Sequence, residues 1–262
     1  MNRSQGWTRC FSPSKGLKCA VTTSWDDGHR LDLKLSEMLL RHGIAGTFFI
    51  APKYLRNGIT AADIKILSGD FEIGAHTVHH CLLTEIPVEQ ANLEIKESKE
   101  ELEGLVDHEI QGFCYPKGAF NDKIIDLVKA AGFTYARTIR SSMCRVFDPY
   151  KMGVNARAHP SQLGFILRTT AKSMGASIGT AVAAVKISVA HRSSLWEAHS
   201  KLMFEYVLRK GGVWHLWGHS WEINHFDMWN QLDDLLGYVS NRKDVAYLTN
   251  REVVECMHTP GS

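Results

Sequence analysis

Three short segments hold residue types that can do metal-ion and acid–base chemistry. Asp26-Asp27-Gly28 sets two adjacent carboxylates just after a β-branched run that ends at Trp25. One of them can bind a metal ion while the other handles a proton, although the same tripeptide is also an ordinary turn. In His76-Thr77-Val78-His79-His80 the first and last imidazoles are four residues apart. A helical turn there would put His76 and His80 on one face, able to share an ion, with His79 pointing elsewhere; the alternative is a surface histidine pair. His219 closes Trp214-His215-Leu216-Trp217-Gly218-His219 and is followed by Ser220 and Trp221. Gly218 leaves room for close approach, and Trp217 and Trp221 offer flat apolar surfaces on which a sugar ring can stack.

The elements that must position these groups alternate along the chain. Cys19 to Trp25, Thr47 to Ile50, Phe71 to Ala75, Gly112 to Tyr115, Tyr135 to Ile139, Val213 to Trp217 and Val245 to Leu248 read as strands. Helical patterns fall at Leu31 to His42, Ala61 to Ser68, Val88 to Leu105, Asp122 to Ala131 and Met228 to Val239, with a terminal helix after the last strand. Gly43 and Gly132 stand where helix C-caps are expected. The order predicts an α/β fold with mainly parallel strands, and all three chemical segments lie at or just after strand ends, where such folds gather their sites.

The 262 residues, 44% of them hydrophobic, suffice for one domain with a substantial core and exclude dominant disorder. Thirty Lys and Arg against twenty-eight Asp and Glu give a formal charge of +2, which argues against a nucleic-acid binder that works through bulk electrostatics. Six cysteines without a C-x-x-C pair predict reduced thiols. The first twenty residues carry Arg3, Arg9, Lys15 and Lys18 with no signal-length apolar run, and Met174 to Ala190 is broken by Lys186, so a cytoplasmic protein with no transmembrane segment is expected. Residues 161–210 hold a local charge of +5, leaving −3 elsewhere. This stretch reads as a basic helical insertion, either a solvated surface or a peripheral contact for phosphate or anionic lipid headgroups. Residues 1–18 form an N-terminal extension, and 19–257 a single domain.

In this order and spacing the segments resemble the polysaccharide deacetylase family, the NodB homology domain or carbohydrate esterase family 4. SWDDG is similar to the family's first motif, HTVHH to the second, GFCYPKG from Gly112 to Gly118 to the third, and HLWGH to the fifth. The resemblance implies an irregular (β/α) barrel of the NodB type and a metal site, most simply zinc, on Asp27, His76 and His80. It implies Asp26 as general base toward the attacking water, a backbone N–H near Lys117 for the oxyanion, and His219 as the acid that protonates the departing amine. Tyr115, Pro116, Lys117, Trp217 and Trp221 are the implied substrate contacts. Asp148 and Glu222 are the candidates for the acidic partner that would keep His219 charged.

Two departures qualify the resemblance. Cys114 stands where many members carry an Arg that contacts the catalytic Asp, and Arg137 is the proposed replacement, with a surface ion pair as its alternative. The fourth motif is not recognisable; Asp148-Pro149-Tyr150 and a segment with Arg157 and His159 take its place. The expected function is metal-dependent removal of an N-acetyl group from an amino sugar, as a small saccharide, nucleotide sugar or lipid-linked sugar. The rivals are a deformylase or cyclic-amide hydrolase on the same barrel, and a catalytically silent carbohydrate-binding barrel.

Overall fold

The computed structural model describes residues 17–55, 58–141, 148–160 and 194–258. Its strands are β1 (Cys19–Asp27), β2 (Gly46–Ile50), β3 (Glu72–Ala75), β4 (Gly112–Cys114), β5 (Tyr135–Ser141), β6 (Met152–Val154), β7 (Ala156–Arg157), β8 (Gly212–Gly218) and β9 (Val245–Tyr247). The helices are α1 (Asp32–His42), α2 (Ala61–Leu67), α3 (Val88–Val106), α4 (Asp122–Ala130), α5 (Leu195–Lys210), α6 (Ser220–His225), α7 (Trp229–Val239) and α8 (Asn250–His258). Every strand pairing is parallel, in the order β6-β5-β4-β3-β2-β1-β8-β7. The sheet curls into a nearly closed (β/α) barrel because the run 152–157 changes partner: β6 lies on β5, and β7 lies on β8. On the other side of β1, β9 pairs with Cys19 to Val21 and β2 with Thr23 to Asp27, so one edge serves two strands.

All nine residues of β1 are buried, which follows from its place between a helical layer and the barrel interior. Val21 and Trp25 face outward into the core shared with α1, α3, α5 and α7. Ala20 faces inward, with Phe49, Cys114, Tyr135, Met152 and Val213, over a plug made by Val253 and Val254 of α8. Large rings fit this narrow interior only where a facing residue has no side chain. A methyl group on Gly74 would sit 2.5 Å from the Phe49 ring, and Gly112 faces Tyr135 in the same way. Gly74→Ala is therefore expected to cost about 1–3 kcal/mol of stability. An unchanged urea midpoint in that variant would show slack that this packing denies.

Above the plug the interior is polar. Glu72 accepts hydrogen bonds from Thr47 and Tyr135 hydroxyls at 2.7 Å each and from the Arg251 amide. Higher still, His215 bridges Ser24 Oγ at 2.8 Å and the Gly153 carbonyl at 3.0 Å. These bonds satisfy groups that would be costly to bury alone, and they carry the strands up to the site.

Of the basic stretch 161–210, residues 161–193, with Arg168, Lys172, Lys186 and Arg192, lie outside the described residues. The remainder forms α5, packed on the barrel through Trp196, Met203, Phe204 and Val207, so this part is a wall of the fold.

Candidate active site

The C-terminal ends of the parallel strands converge on a pocket of about 240 Å³. Asp26 and Asp27 end β1, His76 follows β3, Arg157 ends β7 and His219 follows β8. Strict alternation would send Asp26 and Asp27 to opposite faces of the sheet. Left-handed backbone at Asp27 (φ 82°) and Gly28 (φ 76°) turns the chain so that both carboxylates serve the site, a local strain of the kind that gathers at functional positions.

His76 and His80 are brought together without the helical turn their spacing suggests. Residues 76–80 form a tight loop with left-handed Thr77 (φ 62°) and His80 (φ 57°), pinned because Glu94 of α3 accepts the amides of Val78 and His79 at 3.0 Å each. His79 turns away and pairs with the same carboxylate through Nδ1 at 2.7 Å.

The Asp27, His76 and His80 donor atoms lie within 4.8 Å of one another. Asp27 Oδ1 is 3.6 Å from His80 Nε2 and 3.9 Å from His76 Nε2, and this buried oxygen has no hydrogen-bond partner. His76 Nδ1–H donates to the Cys114 carbonyl at 2.7 Å, which leaves the Nε2 lone pair for a ligand. Burial holds His76 neutral, with its pKa down to about 4, and lowers that of His80 as well, so both are in the ligating form. An orphaned buried carboxylate oxygen facing two neutral imidazoles fits a divalent cation. A second set, Asp26, His76 and Cys114, is also close-packed. It is the poorer site, because burial raises the Cys114 thiol pKa well above its usual value and Arg137 already occupies Asp26.

Arg137 is wholly buried, and its Nη2 donates to Asp26 Oδ1. It is the direct cross-strand neighbour of Cys114, so the cation enters the site from β5 where the third motif on β4 offers a thiol. Burial alone would raise the Asp26 pKa; the charge and the hydrogen bond of Arg137, with the nearby His219, outweigh it, and Asp26 is held below the usual carboxylate range.

His219 has its Nε2 3.8 Å from Asp27 Oδ2, and its Nδ1 bonds Glu222 Oε2 at 2.6 Å. Burial works to lower its pKa, but the Glu222 hydrogen bond and the charges of Asp26, Asp27 and Glu222 prevail and raise it. Glu222, one turn along on α6, is itself held by Arg157 at 3.3 Å and His159 at 3.4 Å. Asp148 instead caps the Tyr150 amide and pairs with Lys151.

Tyr115, Lys117, Trp217 and Trp221 line the pocket; Pro116 is buried in the turn behind it. Trp217 is 5% exposed, with the Arg137 and Arg157 guanidiniums over its ring. The open aromatic faces belong to Trp221, whose Nε1 donates to Asp27 Oδ2 at 2.9 Å, and to Tyr54, which stacks on His80 at 4.4 Å. Tyr54 was not marked by the sequence motifs, although its position in the loop after β2, another strand end, is the available signal. Arg157, at the end of β7, and His159, just beyond it, carry the same signal.

Residues 14–136 match the sequence profile of the polysaccharide deacetylase family. A curated relative, the uncharacterized protein YlxY of Bacillus subtilis (strain 168), is 24% identical over 107 residues, 41% of this chain. The matched segment covers 33% of YlxY, so the chain spans about a third of that relative's length. A Mycobacterium smegmatis structure named for polysaccharide deacetylase superposes with a TM-score of 0.64 at 17% identity, covering 92% of this chain and 90% of its own. The Xyl-CE4 domain of a multidomain xylanase from the hindgut metagenome of Trinervitermes trinervoides gives 0.54 at 12% identity, covering 91% and 90%. A mutant of BA3943, a CE4 family pseudoenzyme with restored enzymatic activity, gives 0.55 at 12% identity over 90% of this chain and 68% of that one. At these identities the likeness is one of fold.

Proposed function

We propose, from the premise that residues 14–136 belong to the polysaccharide deacetylase family and that the barrel as a whole has that family's fold, that this protein is a metal-dependent hydrolase removing an acetyl group from the nitrogen of an amino sugar. One observation carries the reading: the unpartnered, buried Asp27 Oδ1 faces His76 and His80 between a carboxylate fixed by Arg137 and an imidazole hydrogen-bonded to Glu222. A pure binding barrel has no use for a proton acceptor and a proton donor on either side of an ion site. The small pocket suits an acylated amino group and part of its ring.

Asp27, His76 and His80 would hold the ion, zinc in this reading, which when bound would polarise the acyl carbonyl and acidify a water molecule. Asp26 keeps Oδ1 on Arg137 and takes the water proton on Oδ2. The Lys117 backbone N–H would help to hold the developing oxyanion. His219 Nε2 gives its proton to the amine nitrogen as the C–N bond breaks, so that the products are acetate and a free amine. Trp221, bonded to Asp27, fixes that carboxylate and covers one side of the pocket. No helix among the described residues is long and apolar enough to cross a membrane.

The acid role of His219 sets a pH dependence. A general acid works below its pKa, so activity is lost as pH rises through it, and a raised pKa extends activity to higher pH. Glu222→Gln removes one of the charges that raise it, and the alkaline limb of kcat/KM is expected to move to lower pH. His219→Ala is expected to lower kcat by about 10²–10⁴-fold. An alkaline limb that stays in place in Glu222→Gln would assign the proton donor elsewhere.

A further inference from the structure

Two long cationic side chains, Arg157 and Lys117, line the site pocket, and a third, Arg137, is buried against Asp26. Two are matched: Arg137 with Asp26, and Arg157 with Glu222. Lys117 is exposed at the pocket wall and has no carboxylate partner among the described residues. Its backbone is fixed in the left-handed region (φ 54°) inside the turn Pro116–Gly118. That turn is tied down by the Gly118 amide on Tyr115 O at 2.8 Å, the Ala119 amide on Pro116 O at 3.2 Å, and the Thr138 hydroxyl on Gly118 O at 3.0 Å. A side chain rising from so constrained a base reaches a limited region of space, and this one lines the same pocket as Asp27 and His80.

With Arg137 and Arg157 each held by a carboxylate, Lys117 is the long cationic side chain of the pocket lining that has none among the described residues. We propose that Lys117 is a specificity-determining residue that binds an anionic substituent, a phosphate or a carboxylate, on the acylated amino sugar. The sugar in this statement rests on the deacetylase reading; the anion rests on the unmatched ammonium. A lysine is a common point-charge ligand for phosphate, and charge-assisted hydrogen bonds are among the stronger polar contacts. The competing account is a solvated lysine whose removal changes no preference.

Calorimetric titration of the chelator-treated protein separates the two, because binding is then read without turnover. The probes are N-acetylglucosamine as the neutral sugar, its 1-phosphate and 6-phosphate, and N-acetylmuramic acid as the carboxylate. At least one anionic sugar is expected to bind about tenfold more tightly than the neutral one, with the gap shrinking as salt rises. Which anionic sugar binds best identifies phosphate or carboxylate as the group. Lys117→Met is expected to close the gap, and Lys117→Arg to keep most of it. Equal binding of neutral and anionic sugars by the unaltered protein, or a gap that survives in Lys117→Met, would overturn the inference. A preference with no hydrolysis after zinc is restored would overturn only the deacetylase reading, and zinc-restored hydrolysis without a preference only the role of Lys117.

Discussion

Arg137→Met is expected to destabilise the protein by about 3–5 kcal/mol, because it leaves the buried Asp26 carboxylate without its counter-charge. Asp26→Asn strands the guanidinium instead, whose Nε and Nη1 already lack partners. The double variant Arg137→Met with Asp26→Asn removes both charges and is expected to recover most of the loss, so the two changes are strongly non-additive. A pH dependence accompanies this. In the unaltered protein Asp26 has a depressed pKa, so its ionised form contributes stability above the ordinary carboxylate pKa, and that contribution is lost as pH falls through the lower folded value. Without Arg137, burial raises the Asp26 pKa and the sign reverses, with stability falling as pH rises past about 4. Urea midpoints of the metal-free protein at several pH values read both effects. A double variant no more stable than Arg137→Met would contradict the pairing.

The second large effect concerns the ion. His80→Ala removes one of the three proposed ligands and is expected to weaken zinc binding by more than the roughly 10–100-fold loss typical of a supporting group. Trp221→Phe, which takes the hydrogen bond from Asp27 Oδ2, is expected to fall within that smaller range. Cys114→Ala is expected to leave affinity nearly unchanged, since its thiol stays protonated beside Asp26. Competition with a chromogenic chelator measures all three. If Cys114→Ala proved as damaging as His80→Ala, the ion would belong to the Asp26, His76 and Cys114 set.

The barrel was legible because its long elements carry strong local signals. Cys19 to Asp27 is a β-branched run and α3 an amphipathic helix, and both stand where their patterns fall. The closing run 152–157 left little trace, since strands of three and two residues are too short for periodicity. Within the site, Asp26-Asp27, His76, His80 and His219 could be found because each group lies in a contiguous segment at a strand end. The loop geometry at 76–80 could not be read, because it depends on Glu94 reaching across from α3. The place of Arg137 beside Cys114 is a matter of strand register, set by packing between distant segments, for which one sequence holds no local sign. Glu222 stands only three residues from His219, one helical turn away, whereas Asp148 is taken up by the Tyr150 amide.

The central claim, that the three ligands arm an amide hydrolase, is tested most directly by following acetate and amine release from N-acetylated amino sugars by chelator-treated protein before and after one equivalent of zinc. The account predicts no release without the ion and, on its addition, acetate and free amine in equal amounts. Zinc-loaded protein that binds these sugars but releases no acetate would contradict it and mark a carbohydrate-binding barrel instead.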